Sequence, residues 1–321
     1  MKKTNGIIKD YYDITKIKLY YEYYVFNGKR EGEHKEYYKC GQIELTYNYR
    51  DGKEEGEYKK YHKNGQLSSI CNNKNRKIEG EYKSYYSNGQ LFEICNYKNG
   101  NIQGEYKRYY KNGPLFIICN YKNNETDGEY KSYHENGELK KIYYCIDGKK
   151  EGIYKEYYEN RQLNIICNYK NDKIEGEYKS YYESGQLLEI CNYENDHYNG
   201  EYKYYYDNGQ LRIIRNYKNG KVEGEINEYH KNGQLWKICD YINGKREGIY
   251  KEYHANGQKY IECNYIDGKR EGIYKEYHAN GQKRIVCNYR YGDIEGKYKR
   301  YCENGKIIET YNYIDDNSEE D

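Results

Sequence analysis

One glycine constrains this chain more than any other residue. Stepping by 24 from Gly32 reaches Gly56, Gly80, Gly104, Gly128, Gly152, Gly176, Gly200, Gly224, Gly248, Gly272 and Gly296, with no insertion or deletion between them. Five residues after each glycine stands a tyrosine, among them Tyr37, Tyr61, Tyr85, Tyr109 and Tyr301. A fixed period of this length outranks every other signal, because it means one small structural unit copied along the chain. Here the copied unit is typified by residues 80–103, GEYKSYYSNGQLFEICNYKNGNIQ.

Each unit holds two β-rich runs and two turn signals. Glu81 to Tyr86 leads into Asn88-Gly89, and Gln90 to Tyr97 leads into Asn99-Gly100. Asn-Gly between such runs signals a hairpin, since a type I′ turn needs positive φ at both central residues. With Asn88-Gly89 as a two-residue turn, Tyr86 faces Leu91, Tyr82 faces Cys95 and Gly80 faces Tyr97. One face then carries Tyr82, Tyr86, Leu91, Cys95 and Tyr97; the other carries Glu81, Lys83, Tyr85, Ile94 and Asn96. Tyr97 lies across from the bare Gly80, so an aromatic ring covers backbone that a glycine leaves open. Gly56, Gly80 and Gly104, with Tyr61, Tyr85 and Tyr109, are on this reading structural. The second turn has Arg76, Asn124, Asp172 or Asp196 at its glycine site in four units, which suggests a looser turn type than the first.

The expected fold is all-β: an elongated single-layer antiparallel β-hairpin repeat array, a solenoid-like twisted ribbon with a 24-residue period. Residues 1–31 read as a degenerate N-terminal capping repeat, with Ile8 where the lead glycine belongs. Residues 32–313 hold the twelve repeats, and 314–321 form an acidic tail expected to be disordered. A mean hydropathy of −1.36 with 33% charged residues would suggest disorder in an aperiodic chain, but 52 tyrosines supply large rings that tolerate water at the hydroxyl. The opening MKKTNGIIKD offers no apolar run of signal-peptide length, and the expected compartment is the cytoplasm.

Chemistry-bearing columns give little purchase. Cys71, Cys95, Cys119, Cys167, Cys191, Cys239, Cys263 and Cys287 share one column. Column mates stand two strands apart, about 9.6 Å, too far for a disulfide or a shared zinc ion, so they read as small buried thiols. The same spacing separates the nearest pair in the histidine column His62, His134, His230, His254 and His278, where a ring replaces the tyrosine ring. Lysines such as Lys35, Lys59, Lys83 and Lys107 lie near tyrosines, but glutamates two residues earlier share their face. With 54 basic against 52 acidic residues no electropositive stripe forms, so no nucleic acid partner is expected. No P-loop, G-x-S-x-G, G-x-G-x-x-G or H-E-x-x-H pattern occurs, and neither catalytic, cofactor nor metal residues are expected. Arg161, Ser184, Arg215 and Ile226 depart from their columns and read as drift.

The core G-x-Y-x-x-Y-x-x-N-G-x-L, with a second n-G-K-x-E-G turn, resembles the MORN repeat (membrane occupation and recognition nexus). It is similar to that family's second variant, as in Gly104-Glu105-Tyr106 to Tyr109, Asn112-Gly113 and Leu115, and the resemblance runs from about residue 28 to 313. It implies a β-hairpin array that serves as a scaffold or partner-binding module. Some relatives are tied to membranes and phosphoinositides, some bacterial arrays are labelled antitoxins of toxin–antitoxin pairs, and similar arrays abound in giant DNA viruses. The favoured expectation is a non-catalytic scaffold for protein–protein interaction. A peripheral membrane or phospholipid-binding module, or an antitoxin, are the alternatives; the charge balance does not favour a membrane. The candidate partner-binding face bears Tyr82, Tyr86, Tyr110, Tyr158 and Tyr182, and the partner is an unknown protein or a second copy of the chain.

Overall fold

A computed structural model describes residues 5–313; the acidic tail expected beyond Tyr313 lies outside the described residues. Strands fill the described chain and no helix occurs among the described residues. The chain divides after Arg161 into two compact units. Within each, successive strands pair antiparallel with their sequence neighbours, so each is an open antiparallel meander. Two strands belong to each repeat. The described residues hold 30 strands because two, Gly6–Tyr11 and Leu19–Phe26, precede the first repeat, and because four opening strands are split, as Lys77–Ile78 is from Gly80–Tyr85.

The four splits fall in the four repeats whose second turn lacks glycine, after Arg76, Asn124, Asp172 and Asp196, whereas the lead glycines shape every repeat alike. All twelve adopt positive φ, from +71° at Gly296 to +109° at Gly128. Opposite the preceding repeat the pairing jumps from Ile102↔Tyr97 to Tyr106↔Cys95, so Gly104 sits in a bulge that places extra residues on its own strand. A bulge bends its strand and strengthens local twist, and its left-handed residue favours glycine. An added Cβ at Gly80 or Gly104 would meet nothing within 4 Å. Backbone conformation, rather than cover by the facing tyrosine, therefore requires glycine here. Ile8 stands at the corresponding place in the first, worn unit and pairs with Tyr23 in regular register.

The two turns differ in the opposite sense to the expectation. At Asn99-Gly100 both residues have positive φ, 53° and 82°, flanked by the pair Lys98↔Asn101; this is the type I′ turn. The glycine-free versions keep that geometry, with φ of 66° at Arg76, 71° at Asn124, 65° at Asp172 and 67° at Asp196, so the second turn is not looser. The first turn is longer. Gly89 N–H donates to the Tyr86 carbonyl (2.9 Å), Tyr86 N–H donates to the Gln90 carbonyl (2.8 Å), and of Asn88 and Gly89 only Gly89 is left-handed. That is a type I turn closed by a left-handed glycine. It shifts the register between Ser84 and Tyr85, so Leu91 pairs with Tyr85 and not with Tyr86. Beyond the bulge the expected pairs hold: Tyr82↔Cys95 and Gly80↔Tyr97.

Candidate functional site

Direct cross-strand partners share a face, and among the described residues one face of the sheet takes all the burial. Every side chain classed as buried, from His34 and Tyr49 to Glu276 and Cys287, falls on the face of Tyr82, Ser84, Glu93, Cys95 and Tyr97 or their equivalents. Small and large residues alternate there across the strands. Cys95 is flanked by Tyr82 on one side and Tyr106 on the other, and Cys119 continues the row. The rings roof the thiols, so Cys95 and Cys191 are 2% and 1% exposed although only one layer of strands lies beneath them. Burial pushes the Cys95 and Cys119 thiols up to about 12 and those of Cys263 and Cys287 to about 11. Such thiols stay protonated and unreactive at neutral pH. One repeat exchanges the two columns: Tyr143 takes the cysteine place, stacked at 4.5 Å on Tyr130, and Cys145 takes the next tyrosine place, also buried.

The opposite face is charged and half-exposed. Lys83 pairs across the strands with Ile94, and its ammonium lies 2.5 Å from Glu81; the same Lys–Glu contact recurs at Lys59, Lys107, Lys179 and Lys203. Exposed pairs of this kind contribute little stability, on the order of 0–1 kcal/mol each, but they neutralise the lysine column. Where isoleucine replaces the glutamate, at Ile153, Ile249 and Ile273, the side chain is about 60% exposed.

Of the residues expected on a partner-binding face, Tyr82 belongs to the occluded row, half-buried with its ring 5.7 Å from that of Tyr97. Tyr86, Tyr110 and Tyr182 sit just past the strand ends, and their hydroxyls hold the backbone of the next repeat. They donate to the carbonyls of Tyr109, Tyr133 and Tyr205 at 2.9, 2.8 and 2.8 Å. Tyr158 occupies the same column. The histidine column performs the same task. Nε2 of His62, His134, His230, His254 and His278 lies 2.8 to 3.2 Å from the equivalent carbonyl. A carbonyl can only accept, so Nε2 must carry the proton. The exchange of ring for ring is thus an exchange of donor for donor. Tyr12 completes the series from the worn first unit, donating to the Tyr37 carbonyl at 2.7 Å.

Tyr61, Tyr85 and Tyr109 lie on the charged face, and each offers its backbone carbonyl to this ladder. Gly56, Gly80 and Gly104 are the bulge glycines. Sequence reading did not find the stitch on the other edge. Glu79, the residue before a lead glycine, accepts from the Asn99 N–H of the next type I′ turn at 2.7 Å, and Glu175, Glu223, Glu247 and Glu271 repeat the contact. The recurring Glu-Gly pair was the available signal. Arg215, which reads as drift in the sequence, stands in a column whose chemistry changes from unit to unit. It fills a cysteine place, its guanidinium 4.5 Å from the Tyr202 ring and 5.1 Å from that of Tyr217. Arg246 donates to the hydroxyls of Tyr241 and Tyr265 where other repeats carry isoleucine.

A family profile described as MORN repeat variant matches residues 54–75, 78–99, 102–123, 126–145, 150–171, 174–195, 198–219, 222–243, 246–267, 270–291 and 294–315. No curated protein matches the chain. Among solved structures, a crystal structure of TcdB2-TccC3-Cdc42 matches 97% of this chain and 17% of that one, with 11% identity and a TM-score of 0.19. A Photorhabdus luminescens Tc holotoxin pore with a mutation in TccC3 matches with the same coverage and TM-score at 12% identity. The chain spans less than a fifth of the length of these solved chains.

Proposed function

Since the chain belongs to the family of MORN repeat variants, we propose that it is a non-catalytic scaffold that holds a protein partner through several repeats at once. The observation that carries this reading is the recurrence of one set of side chains at one spacing, strand after strand, on a backbone stitched along both edges. Such a surface offers a partner many equivalent weak contacts in fixed geometry, and linked weak contacts multiply into a tight association. The exposed charged face and the tyrosine-bearing turn edge are the accessible parts of each repeat. Tyrosine suits the role, since its ring gives contact area at low entropic cost and its hydroxyl oxygen can still accept a bond.

The test is a series of whole-unit deletions assayed against the partner captured from the native cell. Removing one, two and four units should weaken binding in steps, each by a similar factor. Full affinity retained in a fragment of one or two units would replace the scaffold with a discrete site. To probe the tyrosine edge without cutting the ladder, Tyr86, Tyr110, Tyr158 and Tyr182 should be changed together to histidine. Loss of binding with an unchanged melting temperature places the contact there, and unchanged binding moves it to another part of the repeat.

A further inference from the structure

A repeat this regular has a problem of self-recognition. If the pairing shifts by one whole unit, the bulge glycines and both turns, with most of the tyrosine–cysteine row and of the edge stitches, are reproduced. None of them distinguishes the proper neighbour from the one after it. One row on the occluded face does change. It runs beside the cysteine row and reads, in the second compact unit, Glu189, Tyr204, Ile213, Glu228, Lys237, Glu252.

Members of this row are matched to the neighbours they have. Lys237, ion-paired with Glu228 inside its own repeat, stands opposite Glu252 of the next repeat. In the first compact unit the Lys141 ammonium lies 3.3 Å from Glu156. Glu93 stands opposite Arg108 of the next repeat. Glu276, 7% exposed, stands between Ile261 and Ile285 in the row and takes its cation, Arg284 at 2.7 Å, from its own repeat. Glu189 faces Tyr204 and no second acid, and burial already raises the pKa of its carboxyl.

We propose that this variable row is a register key, whose matched pairs make each repeat pair with its own neighbour and penalise pairing displaced by a whole unit. A half-buried ion pair adds little when formed, because desolvation offsets the attraction, but an occluded carboxylate set against another carboxylate is strongly unfavourable. That asymmetry suits a key, which must act mainly against the wrong alignment. The same discrimination opposes exchange of repeats between two copies of the chain. The inference rests on pairing alone and is independent of any partner.

Two deletions of equal length separate the key from the columns that repeat. Removing Asn199–Val222 preserves the period and the Glu223 stitch to Asn243, and brings Glu189 opposite Glu228. Removing Gly248–Glu271 preserves the period too, but brings Lys237 opposite Glu276, which replaces one lysine–glutamate pair with another. The first deletion should melt lower than the second by at least roughly 4 °C in thermal denaturation followed by circular dichroism. Glu189→Lys should raise the melting temperature of the first deletion, yet lower or leave unchanged that of the full chain. Equal melting of the two deletions overturns the proposal, as does a Glu189→Lys effect of the same sign in both backgrounds. If the first deletion fails to fold, recovery of its β-sheet signal by Glu189→Lys supports the key, and failure to recover refutes it.

Discussion

The turn ladder can be tested at Tyr110, where ring and donor can be changed separately. The Tyr110 hydroxyl donates to the Tyr133 carbonyl at 2.8 Å, and its ring lies 4.7 Å from that of Phe116. Tyr110→Phe keeps the ring and removes the donor, leaving the carbonyl to water; one such bond contributes about 1 kcal/mol net. Tyr110→His restores a donor at Nε2, as His134 does for the Tyr157 carbonyl at 2.9 Å, and should stay within about 0.5 kcal/mol of the parent. Tyr110→Ser loses both ring and ladder bond and should cost about 2 kcal/mol, below a fully buried aromatic truncation because the site is half-exposed. In a folded body of 150–250 residues, 1 kcal/mol corresponds to roughly 2–4 °C in melting temperature. Repeat arrays also open locally, so hydrogen exchange is the sharper assay. Gly113 N–H, which donates to the Tyr110 carbonyl, and Gly137 N–H, which donates to the His134 carbonyl, should exchange faster in Tyr110→Phe and not in Tyr110→His. If phenylalanine protects these amides as well as tyrosine does while histidine does not, ring packing and not the donated bond holds successive turns together.

Gly104, at φ +84° with open space where a Cβ would go, should lose about 1–2 kcal/mol on Gly104→Ala and less on Gly104→Asn, measured by urea denaturation; equal losses would point to crowding instead of backbone conformation. Arg76, a left-handed arginine at φ 66°, should gain about 1 kcal/mol on Arg76→Gly, read as a higher denaturation midpoint; destabilisation would mean its side chain matters more than its backbone. In the native protein at pH 8, an alkylating reagent should modify the exposed Cys40 first and spare Cys95 and Cys119, whose thiols are pushed up to about 12 and become reactive only above that range or on unfolding; early modification of the buried row would contradict its burial.

Much of this protein is written in one dimension. The 24-residue glycine period, the alternation of runs and turns, and the pairs Tyr82↔Cys95 and Gly80↔Tyr97 follow from local rules, because side chains alternate strictly along a strand and an even period preserves that alternation. The sequence also determined that each column of like residues keeps one face in every repeat. Tertiary structure decided what those rules leave open. Asn-Gly is compatible with more than one turn, and the longer type I form was chosen at Asn88-Gly89, moving Leu91 to the side of Tyr85. The bulge at each lead glycine is invisible in a pattern of polar and apolar residues, since it depends on how many residues of one strand face the next. Glu79 and Tyr110 stitch neighbouring repeats through bonds 20 and 23 residues apart, contacts that exist only once the strands lie side by side. The choice of the buried face was equally collective. Tyrosine and isoleucine occupy both faces, and only the packed sheet sets cysteine between two rings and leaves lysine beside glutamate in water.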